Sequence, residues 1–75
     1  MNAQDIAEKA DMIVAGYAYT IQDNCIEVVD LSDLRKRAIL QNDDVVESMM
    51  SDEEDDIILN YYIRNKEILE ESVHA

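Results

Sequence analysis

The sequence predicts a small α+β domain with an N-terminal helix, a two-stranded antiparallel β-hairpin, and then two or three helices, of which the last is the longest. Two observations lead to this prediction. The spacing of apolar residues changes from helical to alternating near Tyr17 and becomes helical again after Leu31. The 75 residues include no proline and a single glycine, which favours regular elements with short connections. We therefore expect one domain over 1–75, with helices at about 3–15, 33–41, 43–50 and 52–71 and a hairpin at about 17–30.

The first predicted helix has a start signal and a stop signal. Asn2 is a suitable N-cap, and Asp5 follows three residues later, close to a capping box. Gly16 lies where a helix often ends in a left-handed residue. Apolar residues between these signals recur at helical spacing, namely Ile6, Ala10, Ile13, Val14 and Tyr17.

The hairpin follows from the alternation around Asp23 and Asn24. A two-residue turn at these positions suits Asp and Asn, because both tolerate a positive φ. This turn would pair Gln22 with Cys25, Ile21 with Ile26, Tyr19 with Val28, and Tyr17 with Asp30. The large apolar side chains of both strands would then lie on one face, whereas the opposite face would carry Thr20 beside Glu27 and Ala18 beside Val29.

Two further helices are predicted between the hairpin and the last helix. In the segment 33–41, Ser32 is the expected cap, and Leu34 and Ala38 are expected to face inward. In the segment 43–50, Asn42 is the expected cap, and the inward residues are Val45, Val46, Met49 and Met50. The sequence leaves open whether residues 43–71 form two helices or one bent helix.

The last predicted helix has two apolar faces. Its broad core stripe consists of Ile57, Ile58, Tyr61, Tyr62, Ile68 and Leu69. Leu59 and Ile63 lie four residues apart on the opposite side, among acidic residues. Two explanations remain open: another element of the chain covers this pair, or the pair contacts a second copy or a partner.

Residues 43–56, here called the acidic segment, hold eight carboxylates in fourteen positions. Helix initiation explains part of this charge. Ser51 and Glu54 fit a capping box, and acidic residues in a first turn complement the helix dipole by roughly 0.3–1 kcal/mol each. That role does not require Asp55 and Asp56, and it explains Asp43, Asp44 and Glu47 only by a similar first-turn role in the preceding predicted helix.

The net charge of −12 makes direct binding to nucleic acid or to anionic lipid unfavourable and favours a protein partner with a basic surface. The only cysteine, Cys25, and the absence of an apolar span or signal segment predict a cytoplasmic protein. The acidic run does not match a calcium-binding loop, and the only histidine, His74, lies one residue from the last position. We therefore expect no metal site, no cofactor, no membrane association and no enzymatic activity.

The acidic segment and the apolar pair together give the candidate partner-binding residues: Asp43, Asp44, Glu47, Asp52, Glu53, Asp55, Asp56, Leu59 and Ile63. The most specific hypothesis is an inhibitor of a basic nucleic-acid-binding enzyme that imitates DNA. Its analogy with small acidic phage inhibitors of restriction or CRISPR nucleases rests on size and charge alone. The alternatives are a homodimeric structural or adaptor protein and an antitoxin-like partner of a basic toxin.

Overall fold

The computed structural model describes the backbone of residues 2–74 and the side chains of residues 2–67. Five strands form one antiparallel sheet in which each strand lies beside the next one in sequence. A short helix precedes the sheet and a long helix follows it. The elements are α1 (Ala3–Lys9), β1 (Met12–Val14), β2 (Tyr17–Ile21), β3 (Ile26–Asp30), β4 (Arg37–Gln41), β5 (Asp44–Ser48) and α2 (Asp52–His74).

The predicted fold class is wrong, because two predicted helices are strands. The segments predicted as helices 33–41 and 43–50 contain β4 and β5, which pair with each other. Asn42, predicted as a helix cap, forms the turn between them together with Asp43, and both have left-handed φ values, 55° and 62°. Ala38 and Leu40, which are both buried, alternate as in a strand, but Leu34 and Ala38 also fit a helical spacing, so the local pattern is ambiguous.

The first helix is shorter than predicted. The side chain of Asn2 accepts a hydrogen bond from the backbone N–H of Asp5 at 2.9 Å, which confirms the predicted cap. The helix nevertheless ends at Lys9, and β1, which contains the β-branched residues Ile13 and Val14, begins three residues later. Gly16 does not end a helix; it joins β1 to β2 in a turn with Ala15, with φ values of 82° and 51°.

The central hairpin is confirmed in its register. β2 and β3 pair Tyr17 with Asp30, Tyr19 with Val28, and Ile21 with Ile26, as the alternation predicts. The backbone N–H of Gln22 donates to the carbonyl of Cys25 at 2.8 Å beside the turn. Neither turn residue has a positive φ, so the tolerance of Asp and Asn for that conformation is not what selects this turn.

The main core lies between one face of the sheet and α2. Tyr19, Val28, Ala38 and Leu40 come from three adjacent strands, and Ile58 comes from α2; all five are buried. The opposite face carries a smaller cluster in which Ile6 of α1 packs against Ala18 and Val29. The sheet is therefore covered by α2 on one face and by the much shorter α1 on part of the other.

The last helix is confirmed, including its start. The Oγ of Ser51 accepts a hydrogen bond from the backbone N–H of Glu54 at 3.2 Å, as the capping box predicts. The face of α2 that packs against the sheet differs from the predicted face: Ile57 is 43% exposed, whereas Leu59 packs against the main core. The predicted stripe residues Ile68 and Leu69 lie outside the described side chains. Neither helix within the described residues combines the length and the apolar character that crossing a membrane requires.

Candidate protein-binding surface

Three of the eight carboxylates in the acidic segment bind side chains from other elements of the same chain. The first is Asp43, whose Oδ2 lies 3.1 Å from the Nζ of Lys66. Hydrogen bonds from Lys66 and then from Tyr62 hold the pKa of the Asp43 carboxyl below its usual value. Asp43 therefore connects the β4–β5 turn to α2.

The other two bound carboxylates hold the first turn of α2 against the sheet. The Nζ of Lys36 lies 3.1 Å from the Oε1 of Glu54, and the pKa of Lys36 is raised by this hydrogen bond. The hydroxyl of Ser48, at the end of β5, donates to the carboxylate of Asp55. Asp55, which helix initiation does not require, thus has a structural role.

The basic cluster Arg35–Lys36–Arg37 is also used within the chain. Lys36 binds Glu54, as described, and Arg35 forms an exposed ion pair with Asp33 at 3.1 Å. The Nε of Arg37 donates to the carbonyl of Leu34 at 3.0 Å. One member of this cluster therefore pairs with the acidic segment of its own chain.

Among the described side chains, the remaining carboxylates of α2 form an exposed surface, here called the α2 ridge: Asp52, Glu53, Asp56 and Glu67, with Ile63 among them. At 100° per residue these five positions fall within an arc of about 100° opposite the buried Ile58. They extend over about 22 Å of helix. The four carboxylates form no salt bridge within the described residues.

Asp44 and Glu47 do not belong to the α2 ridge. Asp44 pairs with Gln41 and Glu47 pairs with Ile39 in the β4–β5 register, which directs both carboxylates to the sheet face away from α2. Both are exposed, and the Oδ1 of Asp44 accepts a hydrogen bond from the N–H of Val45. The nine predicted residues therefore do not form one continuous surface.

The structure separates the predicted apolar pair. Leu59 packs against the core residues between α2 and the sheet, whereas Ile63 is 49% exposed. Ile63 is the apolar member of the α2 ridge, and Leu59 is part of the fold.

Sequence reasoning missed two acidic residues that lie beside the predicted ones. Glu67 extends the α2 ridge, and its spacing of eleven residues from Asp56, about three helical turns, could have shown this. Glu27 lies on the same sheet face as Glu47, with Ile39 between them. This relationship depends on β4, whose residues also fit a helical spacing, so the local sequence pattern does not reveal it.

The described side chains include no group of three or more His, Cys, Asp or Glu residues close enough to hold a metal ion. The α2 ridge consists of four exposed carboxylates and one exposed apolar side chain, Ile63, and such a surface attracts positively charged groups electrostatically.

A family model matches residues 1–69, and the chain belongs to this family, a family of unknown function (DUF7723). No curated protein matches the chain, and no solved structure matches it.

Proposed function

We propose that this protein is a non-catalytic binding protein that uses its α2 ridge to bind a protein partner with a basic surface. The observation that supports the proposal most strongly is the division of the acidic segment. Asp43, Glu54 and Asp55 bind groups of the same chain, whereas Asp52, Glu53 and Asp56 are exposed and form no ion pair among the described residues. Folding therefore explains only some of the carboxylates.

The arrangement of the α2 ridge is suited to electrostatic association. Carboxylates held on one side of a helix require no ordering of the backbone when a partner binds, and like charges in one place raise the rate of encounter with an opposite charge. Ile63, which lies between Asp56 and Glu67, adds an apolar contact that such an interface can bury. A partner with basic residues around a small apolar surface fits this arrangement.

The partner class that we favour is a nucleic-acid-binding enzyme that the protein inhibits by occupying its basic groove. The α2 ridge places four carboxylates unevenly over about 22 Å, with Asp52, Glu53 and Asp56 within about 6 Å of helix and Glu67 about 16 Å further on, whereas each strand of duplex DNA has one phosphate per about 3.4 Å. The ridge is thus less dense than DNA. A basic groove is nevertheless the protein surface that gains most from contact with a rigid row of carboxylates.

The homodimeric alternative has less support than a basic partner. Leu59 packs against the core of its own chain, so of the predicted apolar pair only Ile63 is available to a second copy. A second copy would also bring a net charge of −12 to the contact. An antitoxin-like role is a special case of binding to a basic protein and predicts the same contact.

We propose the cytoplasm as the compartment, because the only cysteine is Cys25, which has no partner for an internal disulfide.

The experiment that tests this proposal is affinity capture from a lysate of the source cells with three forms of the protein. The first is the wild type. The second is the ridge variant Asp52→Asn/Glu53→Gln/Asp56→Asn. The third is a control, Asp5→Asn/Glu8→Gln/Asp23→Asn, which removes the same charge from exposed positions outside α2.

We expect the wild type and the control to retain the same basic protein, and excess duplex DNA to release it. The ridge variant should retain much less, because each lost carboxylate weakens attraction to the basic surface. Equal retention by all three forms would contradict the role of the α2 ridge. Retention that depends on the ridge but resists duplex DNA would contradict the DNA-groove assignment alone.

A further inference from the structure

The sheet face that carries α1 is only half covered. The five strands span about 19 Å, whereas a helix with its side chains is about 10–12 Å wide, and α1 has seven residues. α1 packs over Ala18 of β2 and Val29 of β3, and Leu31 and Leu34 of the β3–β4 connection pack against the same cluster, but no helix among the described residues covers this face of β4 and β5. Met49, just after β5, is 75% exposed there.

The uncovered half contains a recess of about 220 Å³. Its apolar side chains include Ile39 and Met49, and it also contains Glu27, Arg37 and Glu47. The register places Ile39 directly between Glu27 on β3 and Glu47 on β5, so the two glutamate Cα atoms are about 10 Å apart. Neither glutamate forms a salt bridge within the described residues. The cation of the recess, Arg37, donates its Nε–H to the carbonyl of Leu34.

We propose that this recess binds an amphipathic basic helix of a partner protein. Such a helix has an apolar stripe with Lys or Arg on both sides, and its width of about 10 Å matches the separation of Glu27 and Glu47. Its apolar stripe would cover Ile39 and Met49 while its basic residues reach the two glutamates. It would lie beside α1 and complete the helical layer on this face.

A second copy of the chain fits this recess less well. Its α1 carries Asp5 and Glu8, and its α2 begins with four acidic residues, so either helix would bring carboxylates towards Glu27 and Glu47. The proposed surface is distinct from the α2 ridge, which lies on the other side of the sheet. The inference therefore goes beyond the proposed function and shares with it only the basic character of the partner.

The test uses a synthetic 18-residue peptide of leucine and lysine, with the leucines at helical spacing, as the probe. A peptide of the same composition in scrambled order is the control, because it has the same charge but no apolar stripe. Binding is measured by fluorescence anisotropy, and its location by the backbone amide shifts of the ¹⁵N-labelled full chain. The protein forms are wild type, Glu27→Gln/Glu47→Gln, and the ridge variant.

We expect the amphipathic peptide to shift amides in β3, β4 and β5 and to bind more tightly than the scrambled peptide. The double variant Glu27→Gln/Glu47→Gln should weaken binding by about fivefold, whereas the ridge variant should change it less than about twofold. Shifts confined to α2, equal binding of both peptides, or no effect of the double variant would overturn the proposal. If the free protein forms a dimer that buries this face of β4 and β5, the proposal would be overturned in favour of a second copy of the chain.

These outcomes are independent of the capture experiment. Loss of capture by the ridge variant with no peptide binding at the recess would leave the proposed function intact and refute this inference. Peptide binding at the recess with undiminished capture by the ridge variant would support this inference and refute the proposed function.

Discussion

The hydroxyl of Tyr19 donates a hydrogen bond to the backbone carbonyl of Ile58 at 2.8 Å, and both residues are fully buried. Tyr19 lies in β2, and Ile58 lies in the second turn of α2. This bond joins the sheet to the helix that carries the α2 ridge. The position of the ridge therefore depends on the packing of Tyr19.

Removal of this hydroxyl should destabilise the protein moderately. We expect Tyr19→Phe to lower the free energy of unfolding by about 0.5–1.5 kcal/mol, because the ring still fills its site while the hydrogen bond is lost. Urea denaturation followed by circular dichroism measures this change. A loss near zero would show that the bond contributes nothing net to the stability of the fold.

The same residue should make stability depend on alkaline pH. Burial first, and then the nearby Tyr17 and Tyr61, raise the pKa of Tyr19 well above its usual value of 10.0. Above about pH 10 the unfolded chain loses the Tyr19 proton while the folded chain keeps it, so stability is fully present below that pH and falls as pH rises further. The slope attributable to this tyrosine is at most about 1.4 kcal/mol per pH unit.

Comparison of wild type with Tyr19→Phe between pH 9 and 11 isolates this contribution, since the other titrating groups are common to both. We expect the free energy of unfolding of the wild type to fall more steeply above about pH 10. Parallel curves for the two proteins would contradict a raised pKa for Tyr19.

Leu59 and Ile63 should respond differently to the same substitution. We expect Leu59→Ser to lower the free energy of unfolding by about 2–4 kcal/mol, because it removes an apolar side chain that packs against the core. Ile63→Ser should change it by less than about 0.5 kcal/mol, since Ile63 is largely exposed. Serine adds no charge to an acidic helix, so the comparison measures packing. Equal losses at both positions would mean that α2 is rotated from the described orientation.

The β4–β5 turn should be sensitive to loss of Asn42. Asn42 has a φ of 55°, and alanine tolerates this conformation poorly, so Asn42→Ala should cost about 1 kcal/mol. Asn24→Ala is the matched control, because Asn24 is also in a hairpin turn but does not have a positive φ; we expect a change within about 0.5 kcal/mol. Chemical denaturation of both variants measures the difference. Similar costs would contradict the left-handed turn.

The parts of the fold that could be predicted are those for which local signals agree. The β2–β3 register follows from alternation on both sides of one turn, and the starts of both helices follow from capping side chains. β4 and β5 could not be predicted from local signals, because Ala38 fits both spacings and because Asn42 suits a helix cap and also tolerates the left-handed φ that it has here. Pairing with β3, a contact that no local pattern encodes, decides between the two.

The candidate surface was only partly predictable for the same reason. The sequence shows that residues 43–56 are acidic, but it cannot show that Asp43 reaches Lys66 or that Asp55 meets Ser48, since both contacts depend on how α2 crosses the sheet. The exposure of Asp52, Glu53 and Asp56 could be expected, because acidic side chains near the start of a helix usually contact solvent. Glu47 and its relationship to Glu27 required the sheet.

The measurement that tests the central claim most directly is the salt dependence of affinity between the captured partner and the purified protein. The wild type should bind more weakly as salt rises from about 0.1 M, where the Debye length is about 10 Å, towards 1 M, where it is about 3 Å. The ridge variant should bind more weakly at low salt and show a clearly smaller salt dependence, whereas the Asp5/Glu8/Asp23 control should resemble the wild type. An affinity and a salt dependence that are identical in the ridge variant and the wild type would contradict a binding role for the α2 ridge.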